Sequence, residues 1–361
     1  MKILSYNPGH DGAFAYVEDG RLVFSIEAEK SSKYRHSSLS IPDAFDVLAE
    51  LQSVPDVLCR GGWWPGDSPR GQEAVADYRG SHHDQVVVSK KRLLGRTVDF
   101  FSSSHERSHL LCAFGMSNLP KGTPCYALLW EGVIGAFYEI DAELNVTKVG
   151  DVMSEPGHRY AMLYALADPT FDKSAAEFSR LSDAGKLMAL ASFSKRSQPS
   201  DEEERITSFL LQDCQHLKPS QCEALKEFRH YNVGLDDPEF RNFAGIFSDR
   251  LFDRFHRFAT ANLKQGMPLL IAGDAGSIAT GTRSGENQDS FATCSSLRSR
   301  TIQVQRSVRP STRSSISLAI PRSRGMFIPG CIFWRTKLSM QLTSTSGNRT
   351  LRPSPTCWPV T

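Results

Sequence analysis

His105 and His109 stand four residues apart, so on a helix both imidazoles project from one face and could share one metal ion. Such a pair also arises by chance on many helices. Glu131 follows a buried-looking strand and precedes Gly132, a position where a carboxylate at a strand end faces a cleft and completes a His/His/carboxylate set. A solvated turn acid is the alternative. Gly9-His10-Asp11-Gly12, between two strands, resembles a phosphate-accommodating hairpin: two glycines let backbone amides approach an anion, and His10 can donate a hydrogen bond. A plain β-turn is the commoner explanation of four such residues. Lys30, Lys33, Arg35 and His36 cluster soon afterwards and could neutralise an acidic substrate, or form a surface charge run. Gly185-Lys186-Leu187-Met188 opens a helix after Ser182-Asp183, and helix N-termini favour anions, although the G-x-x-x-x-G-K spacing of a P-loop is missing. Met267 to Gly273 reads as a strand running into a glycine, which in α/β folds places that glycine at the sheet edge where ligands bind.

The elements that must position these residues follow from periodicity. Residues 2–6, 13–17 and 21–27 read as strands, with Asp19-Gly20 as the hairpin turn between the last two. A helix is predicted over 41–51 and a short buried strand over 56–59. Residues 61–96, rich in glycine and histidine and including Trp63-Trp64, read as a long functional loop. A helix over 105–116, strands over 125–130 and 134–140, helical stretches near 162–167, 185–193, 202–211 and 240–263, and a buried strand over 268–272 complete the body. Meanders of strands interleaved with helices imply an α/β fold.

A chain of 361 residues and 40.1 kDa can build a sizeable core without disulfide or metal staples. No apolar run reaches the length of a membrane span, and the opening MKILSYNPGHDG is too briefly apolar for a signal peptide, so a cytoplasmic protein without a membrane partner is expected. None of the eight cysteines falls in a C-x-x-C pair, which argues against a zinc ribbon. The net charge of +2 hides an asymmetry: residues 274–361 hold 12 Lys+Arg against 3 Asp+Glu, and the preceding body is net acidic. That segment also carries 27 Ser+Thr and 11 Arg to a single Lys, and its periodicity fits neither helix nor strand for long. Disorder is its default reading.

The strings NPGHDGAFAYVEDGRLVFSIEAEK, HERSH, LLWEG, GKLMALA and LLIAG, in that order, resemble the O-carbamoyltransferase family, which includes nodulation and cephalosporin hydroxymethyl carbamoyltransferases. The resemblance covers about residues 1–273. It implies an actin/sugar-kinase-like two-lobed domain, similar to the universal tRNA threonylcarbamoyl transferase, and a second domain that makes carbamoyl-adenylate from ATP and carbamoyl phosphate. The first domain then passes the carbamoyl group to a small-molecule hydroxyl acceptor. By the same resemblance His105 and His109 match metal histidines of a divalent transition metal, iron, and Glu131 sits where most of the family has aspartate. His10 matches a histidine near the carbamoyl group, and Gly273 falls in the strand-end turn that meets the nucleotide. Gly9, Gly12 and Lys186 are the further nucleotide-binding candidates, and Lys30, Arg35 and His36 the substrate-binding ones.

The family's next strings, Gly-Cys-Gly-Leu-Asn and Asn-Asp-Ser/Thr-Gly, are missing from the chain. They are recoverable in another frame. Residues 274–285, back-translated with suitable codons and read from the third base, can spell Cys-Gly-Leu-Asn-Cys-Asp-Trp-Asn-Thr-Lys-Trp. The same offset over 300–313 permits Asn-Asp-Thr-Gly-Ser-Ala-Ile-Gly-Thr-Ala-Ile-Asp-Ala. A single-base deletion near codon 273 or 274 accounts for both. It makes the basic tail a product of the wrong frame that needs no nucleic-acid partner, and it leaves a truncated, impaired transferase. Two other readings stand beside it: a non-enzymatic nucleotide- or carbohydrate-binding remnant of the fold, and a nucleic-acid binder using the basic tail, which predicts steep salt dependence.

Overall fold

The computed structural model describes residues 1–64, 75–82, 85–195, 197–214 and 216–273. The disorder expected for 274–361 lies outside the described residues.

The chain opens as an antiparallel meander of β1 (Lys2–Asn7), β2 (Ala13–Glu18) and β3 (Arg21–Glu27). Asp19 and Gly20 both have positive φ, 48° and 78°, which is why Asp-Gly stands at that hairpin. A short helix α1 (Ala28–Ser32) leads to α2 (Ile41–Glu50), whose start is fixed by a capping box between Ser40 and Asp43. Strand β4 (Val57–Gly61) then returns parallel to β1. The hairpin β5 (Val86–Leu93) and β6 (Arg96–Ser103) completes a six-stranded sheet of order β3-β2-β1-β4-β6-β5, with β6 parallel to β4.

Helix α3 (His105–Met116) crosses to a second sheet that repeats the plan. Strands β7 (Cys125–Trp130), β8 (Ile134–Ile140) and β9 (Val146–Ser154) form an antiparallel meander. Helices α4 (Pro156–Ala167), α5 (Leu181–Ala191), α6 (Asp201–Leu210) and α7 (Pro238–Asn262) follow, and β10 (Leu269–Ala272) pairs parallel to β7. In each half a strand reached through helices lies beside the first strand of a meander. This is the expected α/β class, with an actin/sugar-kinase-like pair of sheets. The largest core lies between the second sheet and α4, α5, α6 and α7, where Trp130, Tyr160, Phe240, Phe243, Phe247 and Phe255 are fully buried. On the other face Leu110, Leu111 and Phe114 of α3 pack against Ala127, Leu129 and Leu270. Both faces of β7 are therefore covered, which matches its six buried residues in a row.

Several elements depart from the sequence reading: α1, β5, β6 and β9 lie outside the expected set, and α5 starts at Leu181, which puts Gly185 and Lys186 in its second turn and not at an anion-binding N-terminus. The long loop expected over 61–96 contains β5 and abuts β6, turned by Leu94 and Gly95 with φ of 48° and 80°. The β-branched run Val86 to Val88 and the alternation Val98, Phe100 are ordinary strand signals, masked by the glycine and histidine content before them. Strand β9 was absent from the expected set because its side chains are mostly half-exposed and show little contrast between faces.

Candidate metal centre

The helix carrying both histidines starts abruptly at the end of β6. Ser104 caps it by accepting from Arg107 N, while His105 N and Glu106 N donate to the carbonyls of Asp77 and Tyr78 at 3.2 and 3.0 Å. The orphan donors of the first turn are thus satisfied by the segment 75–82, which brings Tyr78 over His105. Their rings stack at 4.2 Å and 15°. Trp64 stacks on the outer face of Tyr78 at 4.0 Å, and the edge of Trp63 meets both Tyr78 and His105.

Glu131 arrives from the other side, one residue beyond β7. Its backbone is clamped: N donates to Ile134 O at 2.9 Å, and its carbonyl accepts from Gly157 N at 3.2 Å. A Cβ at Gly157 would stand 2.7 Å from Gly132 Cα, so only glycine lets α4 start against this turn. Gly273, at φ 93°, closes in from β10, where a Cβ would meet Trp130 O at 2.4 Å and Glu131 Cβ at 3.2 Å.

These approaches bring His105 Nε2, His109 Nε2 and Glu131 Oε2 into a triangle with sides of 3.0 to 3.1 Å. All three residues are buried, at 5, 5 and 6% exposure. Tyr78 donates to the second carboxylate oxygen, Oε1, at 2.9 Å and fixes its rotation. Burial alone would push the Glu131 carboxyl up, but hydrogen bonds from His105 and His109 outweigh it and hold the group below the usual carboxylate range. One proton satisfies one side of such a triangle. A cation at about 2.1 Å from each donor uses all three lone pairs, because adjacent ligands on an octahedral ion at that bond length stand about 3 Å apart. The donor set, two imidazoles and one carboxylate, therefore fits a divalent transition metal.

Glu106, buried between the histidines in sequence, has a different role. H-E-R-S-H matches the H-E-x-x-H spacing in which the glutamate is a metalloprotease base. Here its carboxylate accepts from Tyr138 OH and Gly80 N, tying α3 to β8 and to segment 75–82. Sequence reasoning missed Glu106 and Tyr78, of which only Glu106 carried a local signal, and it placed Trp63 in a functional loop without linking it to the histidines.

The other predicted residues fall in separate places. His10 and His36 converge on Asp11 in the β1–β2 loop. Gly12 N donates to Ser37 O, and a Cβ there would lie 2.3 Å from Leu39 N, so this glycine accommodates the neighbouring loop. Gly9 has no atom within 4 Å of its Cβ direction. Lys30 pairs with Glu27 and Glu29. Lys186 pairs with Asp183 at 2.6 Å and lies over the Tyr164 ring. The Arg35 guanidinium reaches within 3.7 Å of the Cβ direction of Gly185, next to Lys186. Gly273 is the one nucleotide candidate that the structure brings against a member of the triad.

The chain is 39% identical over 280 residues to the 3'-hydroxymethylcephem-O-carbamoyltransferase of Amycolatopsis lactamdurans, covering 76% of this chain and 52% of that protein. The enzyme of the same name from Streptomyces clavuligerus is 38% identical over 279 residues, with the same coverage. Nodulation protein U of Sinorhizobium fredii is 29% identical over 209 residues, 52% of this chain and 37% of that one. Over 76% of its length the chain is similar to O-carbamoyltransferases. It spans about half the length of the curated relatives that it matches. No family model matches it. Among solved structures, the activator of the 2-hydroxyisocaproyl-CoA dehydratase from Clostridium difficile with bound ADPNP is similar at a TM-score of 0.39 and 11% identity, over 78% of this chain and 82% of that one. Among the described residues, no helix is long and apolar enough to cross a membrane.

Proposed function

We propose that this chain contains the carbamoyl-transferring domain of an O-carbamoyltransferase, incomplete, over residues 1–273. Its role is to pass the carbamoyl group of carbamoyl-adenylate, made from ATP and carbamoyl phosphate, to a hydroxyl of a small-molecule acceptor in antibiotic- or nodulation-factor-type biosynthesis. The observation that carries this reading is the buried triangle of His105, His109 and Glu131. A divalent ion, iron in this proposal, would supply Lewis-acid polarisation of the carbamoyl carbonyl when bound. His10 takes the proton of the acceptor hydroxyl as its oxygen attacks the carbamoyl carbon, and the bond from that carbon to the phosphate oxygen breaks to release AMP. Gly273 stands at the strand end, the edge of the sheet at which the nucleotide would be met. A cytoplasmic location suits the cysteines, which are thiols among the described residues.

The frame of the gene is part of the proposal. The two 3'-hydroxymethylcephem-O-carbamoyltransferases match 76% of the chain, a share equal to that of residues 1–273. We infer that residues 274–361 are translated out of frame, so their basic composition calls for no nucleic-acid partner. Asp274, the first residue of that segment, adds a carboxylate directly after Gly273 in the sequence. The 361-residue chain is expected to show no transfer from ATP and carbamoyl phosphate to a hydroxyl acceptor. Restoring one base at codon 274 should regenerate transfer that requires His10, His105 and His109. Robust transfer by the chain as written would overturn the frame argument, as would resequencing that finds an uninterrupted family with this tail.

Metal retention should depend on pH in one direction. The Glu131 carboxylate stays ionised well into acid, because the histidines hold its pKa below the usual range. Release is therefore governed by proton competition for the two imidazoles, and the ion should be retained at neutral pH and lost as the solution is made acidic. Metal analysis after dialysis at stepped pH reads this directly; full retention near pH 4 would contradict histidine ligation.

A further inference from the structure

The β1–β2 loop holds a second cluster of two histidines and a carboxylate, built differently from the triad. His10 Nδ1 lies 2.8 Å from Asp11 Oδ2, and His36 Nδ1 lies 2.8 Å from Asp11 Oδ1. Each imidazole thus has its own carboxylate oxygen. The two rings stack at 4.7 Å with planes 13° apart. Separate oxygens and parallel rings describe two hydrogen bonds to one bridging carboxylate, in contrast to three donors aimed at one point.

The backbone is arranged to hold this bridge. Asp11 and His36 both adopt left-handed conformations, φ 56° and 62°, which cost energy for residues with a Cβ. Asn7 Nδ2 donates to the carbonyls of His10 and Asp11 at 2.8 and 3.3 Å. The loop is laced to the segment that presents His36 by Gly12 N to Ser37 O at 2.8 Å and Leu39 N to Pro8 O at 3.1 Å. Exposure falls from His10, with 55% of its side chain exposed, to His36 at 21% and Asp11 at 14%. The exposed ring is the one able to meet a ligand.

An ionised carboxylate has no proton to offer, so both Nδ1 atoms must be donors. Burial would raise the Asp11 carboxyl, yet the hydrogen bonds from His10 and His36 outweigh it and lower the group to about 2, so it is ionised at neutral pH. In a neutral imidazole the atom opposite the donor is the base.

We propose that Asp11 and His36 are positioning residues for His10: the shared carboxylate locks His10 in the Nδ1–H tautomer, leaving Nε2 as its basic atom, and the His36 ring stacked behind fixes its plane. This rests on the reading of His10 as the group that meets the acceptor hydroxyl. It adds that the proton must be taken at Nε2, by an imidazole that cannot rotate away.

The test is the tautomeric state in the full 361-residue chain, labelled with 15N-histidine and read by long-range proton–nitrogen NMR in basic buffer, at a pH where the nitrogen shifts themselves show both rings to be neutral. His10 and His36 should both show a protonated Nδ1 and an unprotonated Nε2. Asp11→Ala should shift His10 toward the Nε2–H form that predominates for free imidazole in water. Asp11→Asn, which keeps the shape should the alanine variant fail to fold, offers one acceptor and one amide donor, so one of the two imidazoles must change tautomer. A wild-type His10 protonated at Nε2, or tautomers unchanged in a folded Asp11 variant, would overturn the proposal. The readout is taken on the resting chain and needs no turnover, so its failure is distinguishable from a failure of the transferase reading.

Discussion

Replacing either His105 or His109 by alanine should lower the bound transition metal from about one equivalent per chain to below about a tenth. The reason is geometric. Each Nε2 stands within 3.1 Å of the other two donor atoms, so the site offers one lone pair per residue, and deleting one leaves an imidazole and a carboxylate that cannot enclose an ion. Neither variant should unfold the second sheet, because the Leu110, Leu111 and Phe114 face of α3 that packs on it is unchanged. Elemental analysis of proteins purified side by side, with circular dichroism to confirm folding, gives the answer. Metal content equal to wild type in both variants would remove the assignment.

A second large effect is expected at a residue that donates nothing. Gly157→Ala should destabilise the fold by about 1 to 3 kcal/mol, the usual cost of forcing an extra methyl group into a close-packed site. The new Cβ would meet Gly132 Cα at 2.7 Å and Gly132 N and Glu131 O at 3.2 Å, all of them backbone atoms that no side-chain rotation can move aside. Relief requires the β7–β8 turn to move, and Glu131 moves with it. Metal affinity should therefore fall about 10-fold to 100-fold, in the range found when the support of a ligand is disturbed. Thermal unfolding and a competition titration with a chelator measure the two effects. Wild-type affinity in a destabilised variant would show that the turn does not position Glu131.

Local chemistry explains how much of this was legible in the chain. The limits of α3, β3, β7 and β8 could be read because burial patterns, an Asp-Gly turn and a capping serine all act within a few residues. The histidine pair shares one helical face by spacing alone, and Glu131 by its place after a fully buried strand. Tyr78 could not be read, since it meets Glu131 across 53 residues and emerges from a segment with no periodicity. The β5–β6 hairpin was obscured because its outer strand carries Lys90, Lys91 and Arg92 on a sheet edge, which weakens the apolar alternation. The Gly9-His10-Asp11-Gly12 string suggested an anion cradle, whereas the structure uses Gly12 for close backbone approach and Asp11 as a bridge between two imidazoles.

One ion should sit among three buried donors on α3 and at the end of β7. Anomalous diffraction at the iron absorption edge, from crystals of the 361-residue chain grown with ferrous ion under anaerobic conditions, tests this most directly. The predicted result is one strong peak at about 2.1 Å from His105 Nε2, His109 Nε2 and Glu131 Oε2, with Tyr78 still bonded to the other carboxylate oxygen. A peak elsewhere, or an iron-loaded crystal in which the two imidazoles and the carboxylate are joined only by hydrogen bonds, would contradict it.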